Sequence, residues 1–277
     1  MYTINCKGKL LLLDKPLVMG VVNATPDSFY KADLNSDMVQ LAKQMHDDGA
    51  AVIDIGGQST RPGSESIPVE EELKRVIPLI ETIHHFHPGI LLSIDTYSSQ
   101  VAAAAVKAGA SLVNDISGGM MDKEMLSTVA SLKVPYICMH MKGIPATMHM
   151  KPVYEDVVKD VLDFFIERIA ACREAGIHDV IVDPGFGFGK THEHNFRLLH
   201  ELGIFHILER PILVGLSRKS TIYKTLGTTA DQALNGTTVM NTIALLNGAS
   251  FLRVHDVKEA REAIALVEAY KKASPFE

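Results

Sequence analysis

The chain has 277 residues, of which 47% are hydrophobic and 22% are charged. These proportions are typical of a folded globular protein, so they exclude disordered and fibrous classes. The formal net charge is −6 at pH 7 without a basic tail, which argues against nucleic acid as the main partner. The three cysteines are too few and too scattered for a disulfide framework or a CxxC zinc site. We therefore expect a reducing, cytoplasmic location.

We expect neither a targeting segment nor a membrane span. The apolar run at 10–13 is too short for the core of a signal peptide. The stretch at 233–252 lacks charged residues but contains three asparagines and two glycines, a composition that disfavours a membrane span. We interpret it as a helix followed by a buried strand.

The predicted elements begin with a hairpin and continue as eight strand–helix units. The Lys7-Gly8-Lys9 turn within residues 1–16 predicts a short N-terminal hairpin that closes the floor of the fold. The predicted strands lie at 17–22, 51–55, 91–94, 111–114, 136–139, 180–182, 212–215 and 251–254. They are apolar on both faces, as is typical of parallel strands buried under helices. Eight such units predict an α/β fold, a single (β/α)₈ TIM barrel domain over residues 1–277; a doubly wound open sheet is the alternative.

Polar residues cluster where the predicted strands end. They are Asn23, Asp54, Asp95, Asn114, Asp115, His140, Asp183, Ser217, Lys219, Arg253 and His255. In a barrel, these strand ends form one ring around the mouth, where the active sites of such folds lie. A single aspartate after a strand is often only a turn former, but turn formation does not explain a polar residue at every strand end. We therefore predict a functional site at this ring.

The ring combines two kinds of side chain. Asp95, Asn114 and Asp183 carry planar carboxylate or amide groups, which suit the hydrogen-bonding edge of an aminopyrimidine-like heterocycle. The second kind is cationic or becomes so on protonation, and comprises Lys219, Arg253, His255 and Arg61. Such groups suit a phosphate. The mouth is therefore predicted to bind a flat heterocycle joined to a phosphate.

Three familiar motifs are incomplete in this chain. Residues 189–191 resemble the end of a P-loop, but Pro184 stands where that motif requires glycine. Residues 185–190 begin like a dinucleotide fingerprint, but Lys190 holds the sixth place. Residues 215–219 begin like a nucleophile elbow, but Lys219 replaces the second glycine. Ser217 is therefore predicted to be a binding hydroxyl and not a nucleophile.

Seven segments resemble the dihydropteroate synthases of the folate pathway, in the order of that family. They are 23–29 (NATPDSF), 56–63 (GGQSTRPG), 93–96 (SIDT), 114–118 (NDISG), 183–188 (DPGFGF), 217–220 (SRKS) and 253–257 (RVHDV). The resemblance implies a (β/α)₈ barrel that joins 6-hydroxymethyl-7,8-dihydropterin diphosphate to p-aminobenzoate. The products would be 7,8-dihydropteroate and diphosphate. It also implies assistance by Mg²⁺ and a homodimer formed through barrel helices.

The resemblance implies a role for each matching residue. The pterin site would comprise Asp95, Asn114, Ile116, Met139, Asp183, Phe188, Gly215 and Lys219. The diphosphate would bind Thr60, Arg61, Arg253 and His255, and Asn23 would ligate Mg²⁺. The p-aminobenzoate site would comprise Phe29, Pro62, Phe188, Lys219 and Ser220. The expected catalytic residues are Asp95, Asp183, Lys219, Arg253 and His255.

The chain departs from the family pattern at two positions. Lys31 stands where an acid is common, and Gln58 stands where glutamate is common. Gln58 keeps its hydrogen-bonding capacity without the charge, so we expect it to have the smaller effect.

Two other functions would share part of this sequence pattern. A methyltetrahydrofolate:corrinoid methyltransferase would share the barrel and the pterin acids, but it needs no diphosphate site. A catalytically silent pterin-binding partner protein would be favoured by loss of Asn23, Arg61 or Lys219, and all three are present.

The expected reaction needs no nucleophilic residue, because diphosphate is a good leaving group. Ionisation of the pterin C–O bond, followed by attack of the arylamine, is the expected route.

Overall fold

Eight parallel strands form a closed barrel in the computed structural model, which describes residues 2–24, 34–59, 66–144, 148 and 152–273. The strands are β3 (Leu17–Asn23), β4 (Val52–Gly56), β5 (Leu91–Asp95), β6 (Leu112–Asp115), β7 (Tyr136–Met139), β8 (Val180–Asp183), β9 (Leu213–Val214) and β10 (Phe251–Val254). Their order in the sheet is β8-β7-β6-β5-β4-β3-β10-β9. A parallel bridge between Val182 and Ile212 joins the two ends of this order. The predicted barrel is therefore confirmed, and the open-sheet alternative is wrong.

Helices follow the barrel strands and cover the outside of the barrel. They are α1 (Leu34–Asp47), α2 (Val69–Phe86), α3 (Ser99–Ala108), α4 (Met125–Leu132), α5 (Val157–Ala175), α6 (His192–His200), α7 (Ser220–Thr225), α8 (Leu234–Leu246) and α9 (Val257–Lys272), with a 3₁₀ helix at Leu202–Leu208. The stretch at 233–252 contains α8 and the start of β10, as predicted. Within the described ranges, no helix is both long and apolar enough to cross a membrane.

An antiparallel hairpin of β1 (Tyr2–Cys6) and β2 (Lys9–Leu13) precedes the barrel. Its turn residues Lys7 and Gly8 have φ values of 53° and 89°, a pair of positive angles that matches the twist of a two-residue hairpin. The hairpin packs Ile4, Cys6 and Leu13 into one buried cluster with barrel residues such as Met19 and Phe251. These barrel residues lie near the amino ends of their strands, so the hairpin closes the barrel floor as predicted.

Side-chain alternation along the strands decides which residues face the barrel interior. In β4, Val52 belongs to the inner cluster at the floor, whereas Ile53 and Ile55 belong to the outer cluster beneath the helices. Asp54 therefore faces inward, because successive side chains on a strand point to opposite faces. The same register places Asp95, Asn114, Asp183 and Arg253 inward, two residues or more beyond the floor layer. The alternation thus gathers the polar residues above an apolar floor.

Candidate active site at the mouth of the barrel

Arg253 forms ion pairs with carboxylates on two neighbouring strands. Its Nε donates to Asp54 Oδ2 at 2.6 Å, and its Nη2 donates to Asp95 Oδ2 at 2.6 Å. The same Asp54 oxygen accepts a 2.8 Å hydrogen bond from Asn114 Nδ2. Asp54, Asp95 and Asn114 are buried. One connected polar network therefore spans β4, β5, β6 and β10.

Two buried oxygens of this network have no hydrogen-bond partner among the described residues. They are Asp54 Oδ1 and Asp95 Oδ1. A buried acceptor without a partner is costly, and native structures usually satisfy it with protein, water or a bound group. The two oxygens therefore indicate a place where a molecule that donates hydrogen bonds can bind.

Burial and mutual charge shift the pKa values within this network. Burial raises the pKa of Asp95 to about 7, while the Arg253 guanidinium acts in the opposite direction and Asp54 adds to the rise. Burial alone would lower the pKa of Arg253, but the carboxylates of Asp54 and Asp95 raise it above its usual value. Arg253 therefore stays a cation, and it is the group that compensates the two buried acids.

Asp183 and Lys219 form the other polar side of the mouth. Asp183 Oδ1 accepts a 2.7 Å hydrogen bond from the backbone N–H of Gly185. Burial raises the pKa of Asp183, and the charge of Lys219 opposes this shift. Burial lowers the pKa of Lys219 to about 8, and Asp183 acts in the opposite direction. Lys219 Nζ donates to the carbonyl of Phe186 and lies 4.6 Å from the ring centroid of Phe188.

The remaining residues expected in the pterin site follow the ends of β6 to β9. Ile116 and Met139 are buried, and Phe188 is half-buried. At Gly215, an added Cβ would lie 3.9 Å from Lys219 Nζ and 3.9 Å from Arg253 Cβ. The backbone at this glycine therefore runs close to both cations, next to the polar groups described above.

His255 and Ser217 lie together at the ends of β10 and β9. Ser217 Oγ is 3.0 Å from His255 Nδ1, and it accepts a 3.3 Å hydrogen bond from the backbone N–H of His255. His255 is exposed, which suits contact with a ligand at the rim. Ser220 is the first residue of α7 and is half-buried. Ser217 thus contacts the His255 ring and backbone, and its prediction as a binding hydroxyl stays a prediction.

Asn23 is an exposed residue at the end of β3, paired with Gly56 of β4. Within the described residues, there is no group of three or more His, Cys, Asp or Glu side chains that could hold a metal ion by themselves. Magnesium is commonly held by one or two protein oxygens together with water and substrate phosphates. The side-chain amide oxygen of Asn23 at the open mouth could be one protein ligand of a magnesium ion that is also held by water and phosphate. It could not hold the ion by itself.

Four expected site residues, Phe29, Thr60, Arg61 and Pro62, lie outside the described residues, and so does Lys31. Gln58 is described and buried. Its Nε2 donates to Glu72 Oε2 at 3.3 Å, and its Oε1 accepts a 3.0 Å hydrogen bond from Tyr97 Oη. Burial raises the pKa of Glu72 to about 7, while a hydrogen bond from Thr96 opposes the shift. A glutamate at position 58 would place two carboxylates in contact, whereas the amide donates to one acid.

Two polar strand-end residues do not contribute side chains to the mouth. Asp115 faces the outer layer, where its carboxylate accepts four hydrogen bonds of 2.7–2.8 Å from Ser117 N, Ser117 Oγ, Gly119 N and Tyr136 Oη. His140 is buried against Lys190, with Nδ1 2.9 Å from the lysine Nζ. The prediction that every polar strand end belongs to one ring is therefore wrong for these two residues. Asp54, which received no role in the sequence analysis, is instead central to the network.

The chain matches the family model described as pterin binding enzyme over residues 19–255. It is 42% identical over 268 residues to the dihydropteroate synthase of Escherichia coli strain K12, covering 95% of this chain and 94% of that protein. It is 40% identical to the dihydropteroate synthase of Bacillus subtilis strain 168, covering 92% and 89%.

Solved structures of dihydropteroate synthases also have the same fold as this chain. The Yersinia pestis dihydropteroate synthase in a sulfonamide drug complex superposes with a TM-score of 0.93 at 40% identity, covering 99% of this chain and all of that one. The Xanthomonas albilineans enzyme in complex with 7,8-dihydropteroate gives a TM-score of 0.87 at 38% identity, covering 99% of both chains. The chain therefore belongs to the dihydropteroate synthases of the pterin binding enzyme family.

Proposed function

We propose that this chain condenses 6-hydroxymethyl-7,8-dihydropterin diphosphate with p-aminobenzoate, a transferase reaction that yields 7,8-dihydropteroate and diphosphate. The observation that carries the proposal is a pair of buried oxygens, one on Asp54 and one on Asp95, that have no partner among the described residues and lie beside the cations Arg253 and Lys219. Buried acceptors suit the donor edge of an aminopyrimidine, and the cations suit a diphosphate. Relatives and solved structures named for this activity support it.

The pterin would bind with its polar edge toward the carboxylates. Asp95 and Asp183 accept hydrogen bonds from the aminopyrimidine, and Asn114 supplies an amide to the same edge. Ile116, Met139 and Phe188 border the ring, and the Gly215 backbone leaves room beside it. Asp95 Oδ1 has no partner among the described residues, so a ligand donor would bind there without breaking a hydrogen bond between described residues.

Arg253 and His255 would bind the diphosphate at the rim, with Thr60 and Arg61. Arg253 uses Nε and Nη2 for the two aspartates, which leaves the Nη1 edge for an anion. The ion pairs hold the guanidinium in place before the substrate arrives, and such preorganised charge is most effective on a group that becomes more negative during the reaction. Ser217 fixes the His255 ring for the same task.

Mg²⁺ is proposed as the cofactor, with Asn23 as its protein ligand and the diphosphate supplying further oxygens. When bound, the ion neutralises negative charge on the diphosphate. The support for this assignment is the exposed amide at the end of β3, together with the way Mg²⁺ divides its coordination between protein, water and phosphate.

The chemical step is proposed to begin with ionisation of the bond between the pterin methylene carbon and the diphosphate oxygen. The bonding electrons leave with the diphosphate, where Arg253 and His255 stabilise the added charge, and the pterin ring delocalises the positive charge. The amine nitrogen of p-aminobenzoate then attacks the methylene carbon and releases a proton. Phe188, Lys219 and Ser220 border the proposed p-aminobenzoate site, together with Phe29 and Pro62.

A second copy of this chain is the proposed partner, because α8 and α9, which pack against each other, expose apolar side chains. These are Val239, Ile243 and Leu246 on α8 and Leu266 and Tyr270 on α9. The spacing of three or four residues places each set on one helix face. A homodimer through this surface should become a monomer in Ile243→Lys, measured by light scattering after size exclusion, while Phe86→Lys, at an exposed position on α2, should remain dimeric.

We also propose a single domain over the whole chain and a cytoplasmic location. All three cysteines, Cys6, Cys138 and Cys172, are buried and free, and free thiols agree with a reducing compartment.

Diphosphate release tests the proposed activity. Purified protein with dihydropterin diphosphate, p-aminobenzoate and Mg²⁺ should release diphosphate and form dihydropteroate in equal amounts. Methyl transfer from methyltetrahydrofolate to a corrinoid acceptor should be absent. Methyl transfer without diphosphate release would instead identify the methyltransferase alternative, and pterin binding without either reaction would identify a silent binding protein.

A further inference from the structure

Lys190 is a buried lysine in the segment between β8 and α6, and only 8% of its surface is exposed. Its Nζ lies 2.9 Å from His140 Nδ1, 3.0 Å from the Gly185 carbonyl oxygen, 3.1 Å from the Phe188 carbonyl oxygen and 3.3 Å from the His140 carbonyl oxygen. The amine thus connects the loop at 184–189 to the end of β7. The proposed reaction makes no use of this residue.

The loop takes a shape that needs such a connection. Gly185 and Gly189 have φ values of +68° and +63°, and a Cβ at these positions would lie 1.9 Å from the His140 carbonyl oxygen and 2.1 Å from the Lys142 carbonyl oxygen. The loop backbone therefore lies directly against the backbone that follows β7. Carbonyl oxygens brought together in this way need a shared donor, and the Lys190 amine supplies it.

His140 takes part as a neutral acceptor. Burial lowers the pKa of His140 to about 2, and the charge of Lys190 acts in the same direction. The ring is held edge-to-face against Phe164 with centroids 4.9 Å apart. A neutral imidazole has one nitrogen that accepts, so Nδ1 accepts from Lys190 when the amine is protonated.

A buried lysine is costly for the fold, and this cost indicates a role beyond filling space. Burial lowers the pKa of Lys190 well below its usual value, while Asp183 acts in the opposite direction. Replacing a buried charge by an apolar side chain of similar volume is often neutral or stabilising. A methionine would fill the same volume without the cost of desolvation, but the Phe188 carbonyl oxygen would lose its lysine donor, and the Gly185 carbonyl oxygen would keep only the backbone N–H of Phe188.

The loop that Lys190 holds is the one that contacts Lys219 in the candidate active site. The Phe186 carbonyl accepts from Lys219 Nζ, and the Phe188 ring lies 4.6 Å from the same atom. At Gly187, an added Cβ would lie 3.3 Å from Lys219 Cδ. Three consecutive loop residues, Phe186, Gly187 and Phe188, therefore border the side chain of Lys219.

We propose that Lys190 is a positioning residue for pterin binding: it holds the 184–189 loop against His140, and the loop in turn holds Lys219. The inference rests on the proposed role of Lys219 at the pterin. Lys190 itself does not contact the substrate in this account, so its effect should depend on Lys219 being present.

A double-mutant cycle tests this dependence. The variants are Lys190→Met, Lys219→Met and the double variant, and the measurement is the Kd of pteroic acid by calorimetric titration. Lys190→Met should weaken binding by about tenfold, the scale of one lost hydrogen bond to a charged group. In the Lys219→Met background, the same substitution should cause a smaller further loss, because the part of its effect that passes through Lys219 is gone. Lys159→Met is the matched control, because Lys159 Nζ pairs with Asp163 Oδ2 on the exposed surface of α5.

The outcomes separate the inference from the proposed function. An equal loss from Lys190→Met in both backgrounds, an unchanged Kd in Lys190→Met, or an equal loss in Lys159→Met would overturn the positioning role. An unchanged Kd in Lys219→Met would count against the pterin role of Lys219 and would remove the basis of the inference with it. Melting temperatures are measured for every variant, and if Lys190→Met does not fold, the cycle is run with Lys190→Gln, whose amide keeps two donors.

Discussion

Asp95 presents its two carboxylate oxygens to different surroundings through its pairing with Arg253. Oδ2 accepts a 2.6 Å hydrogen bond from Arg253 Nη2, whereas Oδ1 is buried without a partner among the described residues. One oxygen is thus fixed by the protein and the other remains for a ligand. In the proposed function, the guanidinium therefore orients the acid that would recognise the heterocycle, and its second edge would bind the diphosphate.

Removal of either proposed pterin acid should weaken pterin binding. We expect Asp95→Ala and Asp183→Ala each to reduce the binding free energy of pteroic acid by more than about 2 kcal/mol, because buried ligand donors lose a charged acceptor. Calorimetric titration measures this. Asp163→Ala, on the exposed side of α5, should bind like the wild type. Unchanged affinity in both site variants would contradict the pterin assignment.

Asp95 should also make stability depend on pH. Its pKa is about 7 in the folded protein and about 4 in an unfolded chain. Between these values the folded state binds more protons than the unfolded state, so the free energy of unfolding should fall as pH rises from about 4 to about 7. The slope from one such group is at most about 1.4 kcal/mol per pH unit.

Urea unfolding across this pH range measures the slope. Asp95→Asn should reduce it, because the amide does not titrate. Glu72 also has a pKa raised to about 7 by burial, and its charge adds to the raised pKa of Asp95. Glu72→Gln should therefore also reduce the slope, and the double variant should be the flattest. A slope in Asp95→Asn equal to that of the wild type would show that Asp95 is ionised across the whole range.

The barrel and most of its site could be predicted because they depend on local patterns. Strand ends followed from apolar runs, and the place of Asp95, Asn114 and Asp183 at the mouth followed from their position at the ends of those runs. Asp54 and Asp115 could not be separated in this way, because both are aspartates near a strand end. The alternation of side chains along each strand separates them. Asp54 points into the barrel, as Val52 does, and Asp115 points toward the helices, as Val113 does.

The position of the Lys190 side chain could not be predicted from the sequence, for a different reason. Its motif reads as an incomplete phosphate loop, and nothing in residues 184–190 indicates that the lysine turns inward to its own backbone. That direction depends on His140, 50 positions away in the chain, and on glycines whose φ values allow the loop to lie against β7. Long-range contact and backbone conformation decide the role, and neither is visible as a pattern.

Lys219 should limit activity at high pH. Burial lowers the pKa of Lys219 to about 8 in the free protein, and the profile of kcat/KM reports pKa values of the free enzyme. We expect kcat/KM for the pterin substrate to fall above about pH 8, because the neutral amine loses its charge-assisted contacts. Lys219→Arg should be slower at pH 7 but should keep its activity to higher pH, since arginine stays protonated.

The control for this profile is Lys224→Arg, the same substitution at an exposed position on α7. It should show the wild-type profile. A fall in kcat/KM at the same pH in Lys219→Arg would assign the titration to another group.

The order of bond breaking is the last prediction. The described residues at the mouth place cations near the expected diphosphate, and the p-aminobenzoate nitrogen is a weak nucleophile. Reversible ionisation of the C–O bond should therefore precede nitrogen attack. The test uses substrate labelled with ¹⁸O in the ester oxygen between the methylene carbon and the α-phosphorus, incubated with protein and Mg²⁺ but without p-aminobenzoate.

A cation–diphosphate pair that forms and recombines should move the label into the non-bridging positions of the α-phosphate, as measured by ³¹P NMR. Arg253→Ala should scramble the label more slowly, because the departing diphosphate loses a cation that stabilises it. A second arm contains a nonreactive p-aminobenzoate analogue, in case the amine site must be filled before the mouth closes. The absence of scrambling in both arms, together with a large ¹⁴N/¹⁵N effect at the attacking amine, would contradict ionisation first. That pair of results would mean that carbon–nitrogen bond formation and diphosphate departure occur in one concerted displacement.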